Sequence, residues 1–126
     1  MDAVEAKAAQ DMLDAAVESL GADPSEDDRE TFVTAIRKGR LDFDEQSETF
    51  SVYLRKPIEL DNGDTVAKLE LSEPTACQMR VAGKSIDEFE QSLLLIGYLA
   101  GQPVSVIERM GSRDLTLTSR VLGFFV

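Results

Sequence analysis

The sequence predicts an α+β fold in which a mainly helical body carries one β-hairpin and is preceded by an acidic helical arm. Period-two alternation of apolar residues indicates a strand over Phe50–Leu54. A second extended run covers Thr65–Leu71, and the Asn62-Gly63 pair between the runs is typical of a hairpin turn, because both positions tolerate positive φ. Helical spacing and capping residues occupy most of the remaining chain. Because a single hairpin is marginally stable alone, we expect it to pack against the helices.

The net charge of the 126-residue chain is −11, and it is concentrated in the first part of the sequence. Residues 1–48 carry 14 acidic and 5 basic side chains, whereas residues 49–126 carry 10 and 8. This shift predicts two parts, an acidic helical arm with a connector over 1–48 and a body over 49–126. A surface of this charge repels the phosphates of nucleic acid and of anionic lipid, so neither nucleic acid nor a membrane is expected as a partner.

Two helices are predicted in the arm. The first covers about Asp2–Leu20 and has a thin, alanine-rich apolar face, so we expect it to pack weakly on the body or to fold fully only against a partner. The second follows Pro24, with Ser25 as its cap and acidic residues in its first turn, and it ends near Gly39. The polar stretch Gly39–Glu48 is interpreted as the connector between the arm and the body.

The strands and the first helix of the body carry three further signals. Pro57 is expected to end strand pairing or to mark a sheet edge, because proline has no N–H to donate. The return strand falls out of phase near Ala67, which predicts a bulge there. A helix is predicted to start at Ser72–Thr75, with Ser72 as its cap.

A strongly apolar helix is predicted over Ser85–Ala100. A capping-box pattern opens it at Ser85–Glu88, and apolar residues cover almost its whole circumference. A helix of this kind is normally buried on two sides, which in a small protein favours burial by a partner. A final helix follows Gly111, with Ser112 as its cap and Asp114 stabilising its N-terminus.

No catalytic residue, metal site or cofactor is predicted. The chain lacks histidine, which is the usual base near neutral pH and a common metal ligand. Its one cysteine, Cys77, is interpreted as a small buried apolar side chain. Asp61–Asp64 is interpreted as the hairpin turn, because the alternating ligands and distal glutamate of a calcium-binding loop are missing. We therefore expect a protein that is not an enzyme.

The sequence also predicts a cytoplasmic protein. Its N-terminus has no basic segment followed by an apolar run, so no signal peptide is expected. The longest apolar run, Leu93–Ala100, is much shorter than the roughly 20 residues that a membrane-spanning helix needs.

Five apolar residues are candidates for contact with a protein partner or with a second copy of the chain. They are Leu94, Leu95, Tyr98, Phe124 and Phe125. The first three widen the apolar surface of the predicted helix. The two phenylalanines, near the C-terminal end of the sequence, must either fold back onto the core or stay available for binding, and both alternatives remain open.

The order of these signals resembles the tail assembly chaperone family of long-tailed bacteriophages and prophages over about Thr49–Val126. The matching features are Leu54-x-x-Pro57, Leu69-x-Leu71-x-Glu73-Pro74-Thr75, Leu99-Ala100-Gly101-x-Pro103, Asp114 and Phe125. The specificity of the resemblance lies in their order and spacing. The resemblance implies a non-enzymatic factor that binds the tape-measure protein and keeps it soluble in the host cytoplasm. It further implies help in loading tail tube protein, and absence from the mature virion.

Two other classes of function are compatible with the sequence. The first is a structural tail component that is retained in the virion. The second is a small acidic regulatory module that binds a basic partner through residues 1–48, where the negative charge is concentrated. Presence in purified particles would favour the first, and salt-sensitive binding through the arm would favour the second.

Overall fold

The computed structural model describes residues 3–84 and 87–125. In this part of the chain, six helices accompany one three-stranded antiparallel sheet, which confirms the α+β, mainly helical fold class. The elements in chain order are α1 (Ala3–Leu20), α2 (Glu26–Arg37), β1 (Leu41–Asp44), β2 (Thr49–Glu59), β3 (Thr65–Leu71), α3 (Ala76–Ala82), α4 (Glu88–Ala100), α5 (Val104–Ile107) and α6 (Ser112–Leu122).

The stretch interpreted as a connector contains a strand, and this part of the prediction is corrected. β1 pairs antiparallel with β2, with Leu41 opposite Val52 and Phe43 opposite Phe50. Leu41 and Phe43 are buried, whereas the acidic residues between and after them are exposed. The alternation is only four residues long and half of it is acidic, so it resembles a solvated loop until its pairing partner is known.

The predicted hairpin is present as β2 and β3. Gly63 adopts φ 90° in the connecting turn, and the Leu60 N–H donates to the Asp64 carbonyl at 2.8 Å. The ladder shifts register between the pairs Tyr53–Lys68 and Ile58–Val66, so residues 54–57 of β2 lie opposite Ala67 alone. The predicted bulge is therefore present at Ala67, but the extra residues belong to β2. Pairing is interrupted before Pro57 but resumes at Ile58 and continues to Glu59, so Pro57 does not end the pairing and the strand is longer than the predicted Phe50–Leu54.

The first two helices pack on each other and on β1. Ser25 caps α2, as predicted, by accepting a hydrogen bond from the Asp28 N–H at 3.2 Å. Leu13 of α1 and Phe32 of α2 are almost fully buried, and both belong to the same hydrophobic cluster as the sheet residues. Residues 1–48 therefore contribute side chains to the core that the sheet also builds.

Three details of the helices α3 to α6 correct the expectations. Thr75, and not Ser72, caps α3, through a capping box with Gln78. Cys77 lies in the first turn of α3 and is exposed, because Ala82 is the residue that this short helix buries. The N-cap of α6 is Gly111 and not Ser112. The start of the box predicted before α4 lies outside the described residues, but its third residue, Asp87, is the observed N-cap.

Candidate partner-binding surfaces

The C-terminal phenylalanines fold back onto the body. Phe124 is only 6% exposed, and its ring centroid lies 4.9 Å from that of Phe32 and 4.8 Å from that of Phe50. Phe125 is half-buried and makes an edge-on contact with Phe50 at 6.0 Å. Of the two alternatives that the sequence left open, Phe124 adopts the first, whereas Phe125 keeps part of its surface accessible.

The three candidate residues of α4 differ in exposure. Leu95 is 7% exposed and belongs to the core cluster, whereas Leu94 is partly buried and Tyr98 is 40% exposed. Leu94 and Tyr98 are four residues apart, so they lie on the same side of the helix. Phe89, which is on the same helix, is 60% exposed. The helix is thus buried on one side and presents apolar and aromatic groups to solvent elsewhere.

A groove lies where the C-terminal half of α3, the N-terminal half of α4 and the end of α6 meet. We call it the α3–α4–α6 groove; it has a volume of about 450 Å³ and is open to solvent. Its described lining residues are Met79, Ala82, Gly83, Glu88, Gln91, Ser92, Leu95, Ser119, Leu122 and Gly123. Except for Leu95, none of these is among the candidate binding residues from the sequence. Each helix supplies two or more of them. The spacing of residues within one segment does not predict a surface that three separate segments share.

The buried carboxylate of Asp114 connects α6 to the bulge of β2. Asp114 is 4% exposed, and its two oxygens accept hydrogen bonds from the N–H groups of Arg55 at 2.9 Å and of Lys56 at 3.1 Å. These donors lie in the irregular part of β2, where the ladder to β3 is interrupted. The expectation that Asp114 stabilises the start of α6 is compatible with its position in the first turn. The sequence did not reveal the long-range contact with β2.

No group of three or more potential metal ligands occurs among residues 3–84 and 87–125. On the exposed face of β3, a hydrogen bond from Lys68 to Glu70, supported by the charge of that carboxylate, raises the pKa of Lys68. This is an ordinary surface ion pair, and the distinctive features of the chain are its apolar surfaces and its acidic charge.

Comparison with known protein families provides the decisive observation. A family model described as phage tail assembly chaperone proteins, E, or 41 or 14, matches residues 51–126, which is more than half of the chain. The chain belongs to this tail assembly chaperone family. Neither the comparison with curated proteins nor the comparison with solved structures found a significant match.

The residues that carry the resemblance to the tail assembly chaperones have clear structural roles in this fold. Asp114 binds the backbone between Leu54 and Pro57, so two of the matching features meet in space. Thr75 caps α3, and Gly101 ends α4 in the left-handed conformation with φ 69°. The matching features therefore specify how strands and helices are joined. They do not by themselves identify which surface of the chaperone contacts another protein.

No helix in the described part of this chaperone has both the length and the apolar content needed to cross a membrane.

Proposed function

We propose that this chain is a non-enzymatic chaperone that binds the tape-measure protein in the host cytoplasm, assists assembly of the tail tube and is absent from the finished tail. The observation that carries the proposal is the family match over residues 51–126. A chaperone of this kind must hold apolar segments of a client without aggregating. Exposed apolar side chains on a strongly acidic molecule are suited to this task, because the net charge of −11 opposes aggregation.

We further propose that the five candidate residues have two different roles, contact with the client and support of the fold. Leu94, Tyr98 and Phe125 keep accessible surface and contact the client, whereas Leu95 and Phe124 hold the helices that present them. Truncating Tyr98 to alanine should weaken binding and leave the fold intact, since its side chain is 40% exposed. Truncating Phe124 should instead destabilise the fold by about 3–5 kcal/mol, because its ring fills the core.

Co-expression with the tape-measure protein of the same phage or prophage tests the proposal. We expect the client to become soluble and to co-elute with the chain, and Tyr98→Ala to reduce the co-eluting fraction. Ser105→Ala, at an exposed position of α5, is a control that should co-elute as the wild type does. A client that is expressed but stays insoluble with the wild-type chain would contradict the proposal.

Mass spectrometry of purified particles distinguishes the chaperone role from that of a structural tail component. We expect the chain in lysates of infected or induced cells and not in mature tails. A stoichiometric amount of the chain in purified tails would favour the structural component.

A further inference from the structure

We propose that the α3–α4–α6 groove is a docking site for an amphipathic helix that carries a basic residue beside its apolar face. The inference rests on the proposed function only for the identity of the natural client, which would be a helical segment of the tape-measure protein. The groove itself, its lining and its charge are properties of this chain.

The floor of the groove consists of buried apolar side chains. Ala82, Leu95 and Leu122 are 4–7% exposed, and each comes from a different helix. Met79 also lines the groove, but it is 44% exposed. A flexible, polarizable methionine at the opening of an apolar groove adapts to differently shaped side chains, as surfaces that bind several related segments require.

The shape of the groove fits the side of a helix better than a small molecule. Pockets for small molecules enclose most of their ligand, whereas this groove is open to solvent. Its volume of about 450 Å³ admits a few apolar side chains. Residues spaced three and four apart on a helix form a ridge of that kind, which is how amphipathic helices enter grooves on other proteins.

The charge of the groove selects the sign of the partner. Among its described lining residues, Glu88 carries the formal charge, and the polar groups beside it, from Gln91, Ser92 and Ser119, are neutral. Asp87, the N-cap of the same helix, adds negative charge at this end of α4, whereas Arg80 and Lys84, which follow the lining residues Met79 and Gly83, are positive. A lysine or arginine on the side of the partner's apolar ridge that faces α4 would pair with Glu88, whereas a glutamate in that place would be repelled.

A synthetic helical peptide of about 18 residues, or five turns, tests the site directly. One version has leucine on one face and lysine beside it, a second replaces lysine with glutamate, and a third scrambles the first. Fluorescence anisotropy with the full chain should show the lysine version binding best. Equal binding of the lysine and glutamate versions, or of the scrambled one, would overturn the proposal.

Two pairs of variants locate the binding. Glu88→Lys should weaken binding of the lysine peptide about fivefold relative to Glu90→Lys, which changes the net charge equally on the same helix. Ser119→Tyr, which fills the groove, should weaken binding about tenfold, whereas Thr116→Tyr, at an exposed position of the same helix, should leave it unchanged. Circular dichroism confirms that each variant is folded. Equal effects within both pairs would overturn the site.

Co-expression with the tape-measure protein distinguishes failure of the groove as a binding site from failure of the proposed chaperone function. Co-elution of the client with the wild-type chain that is lost in Ser119→Tyr supports both. Co-elution that persists in Ser119→Tyr overturns the groove as the client site and leaves the chaperone function standing. Peptide binding that follows the two variant pairs, without any co-elution of the client, overturns the function and leaves the groove as a helix-binding site.

Discussion

At the scale of single residues, Asp114 shows how one buried carboxylate can replace a missing part of a strand ladder. The ladder between β2 and β3 is interrupted at Arg55 and Lys56, and the two oxygens of Asp114 accept hydrogen bonds from the N–H groups of both residues. Asp114→Ala should therefore lower the free energy of unfolding by about 1.5–3 kcal/mol, because it removes charge-assisted hydrogen bonds and leaves two donors to compete for water. Urea denaturation measures the loss.

A matched control separates this role from simple stabilisation of a helix N-terminus. Glu90 is also an acidic residue in the first turn of a helix, but it is exposed. Glu90→Ala should cost only the interaction with the helix dipole, about 0.3–1 kcal/mol. Equal losses for the two variants would show that Asp114 acts only at the start of α6 and that its bonds to β2 contribute little.

At the scale of elements, capping chemistry decides where the helix after β3 begins. The sequence analysis predicts Ser72 as the cap in this corner, and a second hydroxyl residue, Thr75, follows three positions later. In the structure Thr75 accepts from the Gln78 N–H at 3.1 Å, while the Gln78 side chain accepts from the Thr75 N–H at 2.9 Å. Thr75→Ala should cost about 1 kcal/mol of stability in thermal or urea unfolding. Ser72→Ala serves as the control and should cost almost nothing, since Ser72 precedes the cap. A larger loss of stability for Ser72→Ala than for Thr75→Ala would show instead that Ser72 is the cap, as the sequence predicts.

The same elements show what the sequence could and could not predict. The hairpin, the range of β3 and the cap of α2 follow from local signals: period-two alternation, Asn62-Gly63, and Ser25 before three acids. β1 was missed because its four residues show their burial only when paired with β2. The α3–α4–α6 groove was missed for a related reason. It depends on how three helices pack, and no spacing within one segment encodes that packing.

At the scale of the whole molecule, the structure brings together parts that the sequence presents as separate. The family match covers residues 51–126, yet the ring of Phe32 in α2 packs against that of Phe124, with centroids 4.9 Å apart. An ion pair between Asp28 and Arg120, at 3.0 Å, joins α2 to α6, the helix that precedes Phe124. Both members of the ion pair are about 40% exposed, so the contribution of this pair is at most about 1 kcal/mol. The buried ring contact is therefore the stronger connection.

The division at residue 48 remains a prediction, and the position of the two tyrosines allows it to be tested. Tyr53 and Tyr98 both lie in 49–126, and the chain has no tryptophan. Tyrosine fluorescence therefore reports on the body alone, whereas circular dichroism at 222 nm, which measures helix content, reports on the helices of both parts.

Phe32→Leu removes an aromatic contact from the shared core and should destabilise the fold by about 1–3 kcal/mol. If residues 1–48 unfold together with the body, both signals should shift by the same amount. Thr34→Ala, at an exposed position of α2, is the control and should shift neither. A shift confined to circular dichroism would show instead that α1 and α2 form an independent arm, because loss of the Phe32 contact would then leave the body unaffected.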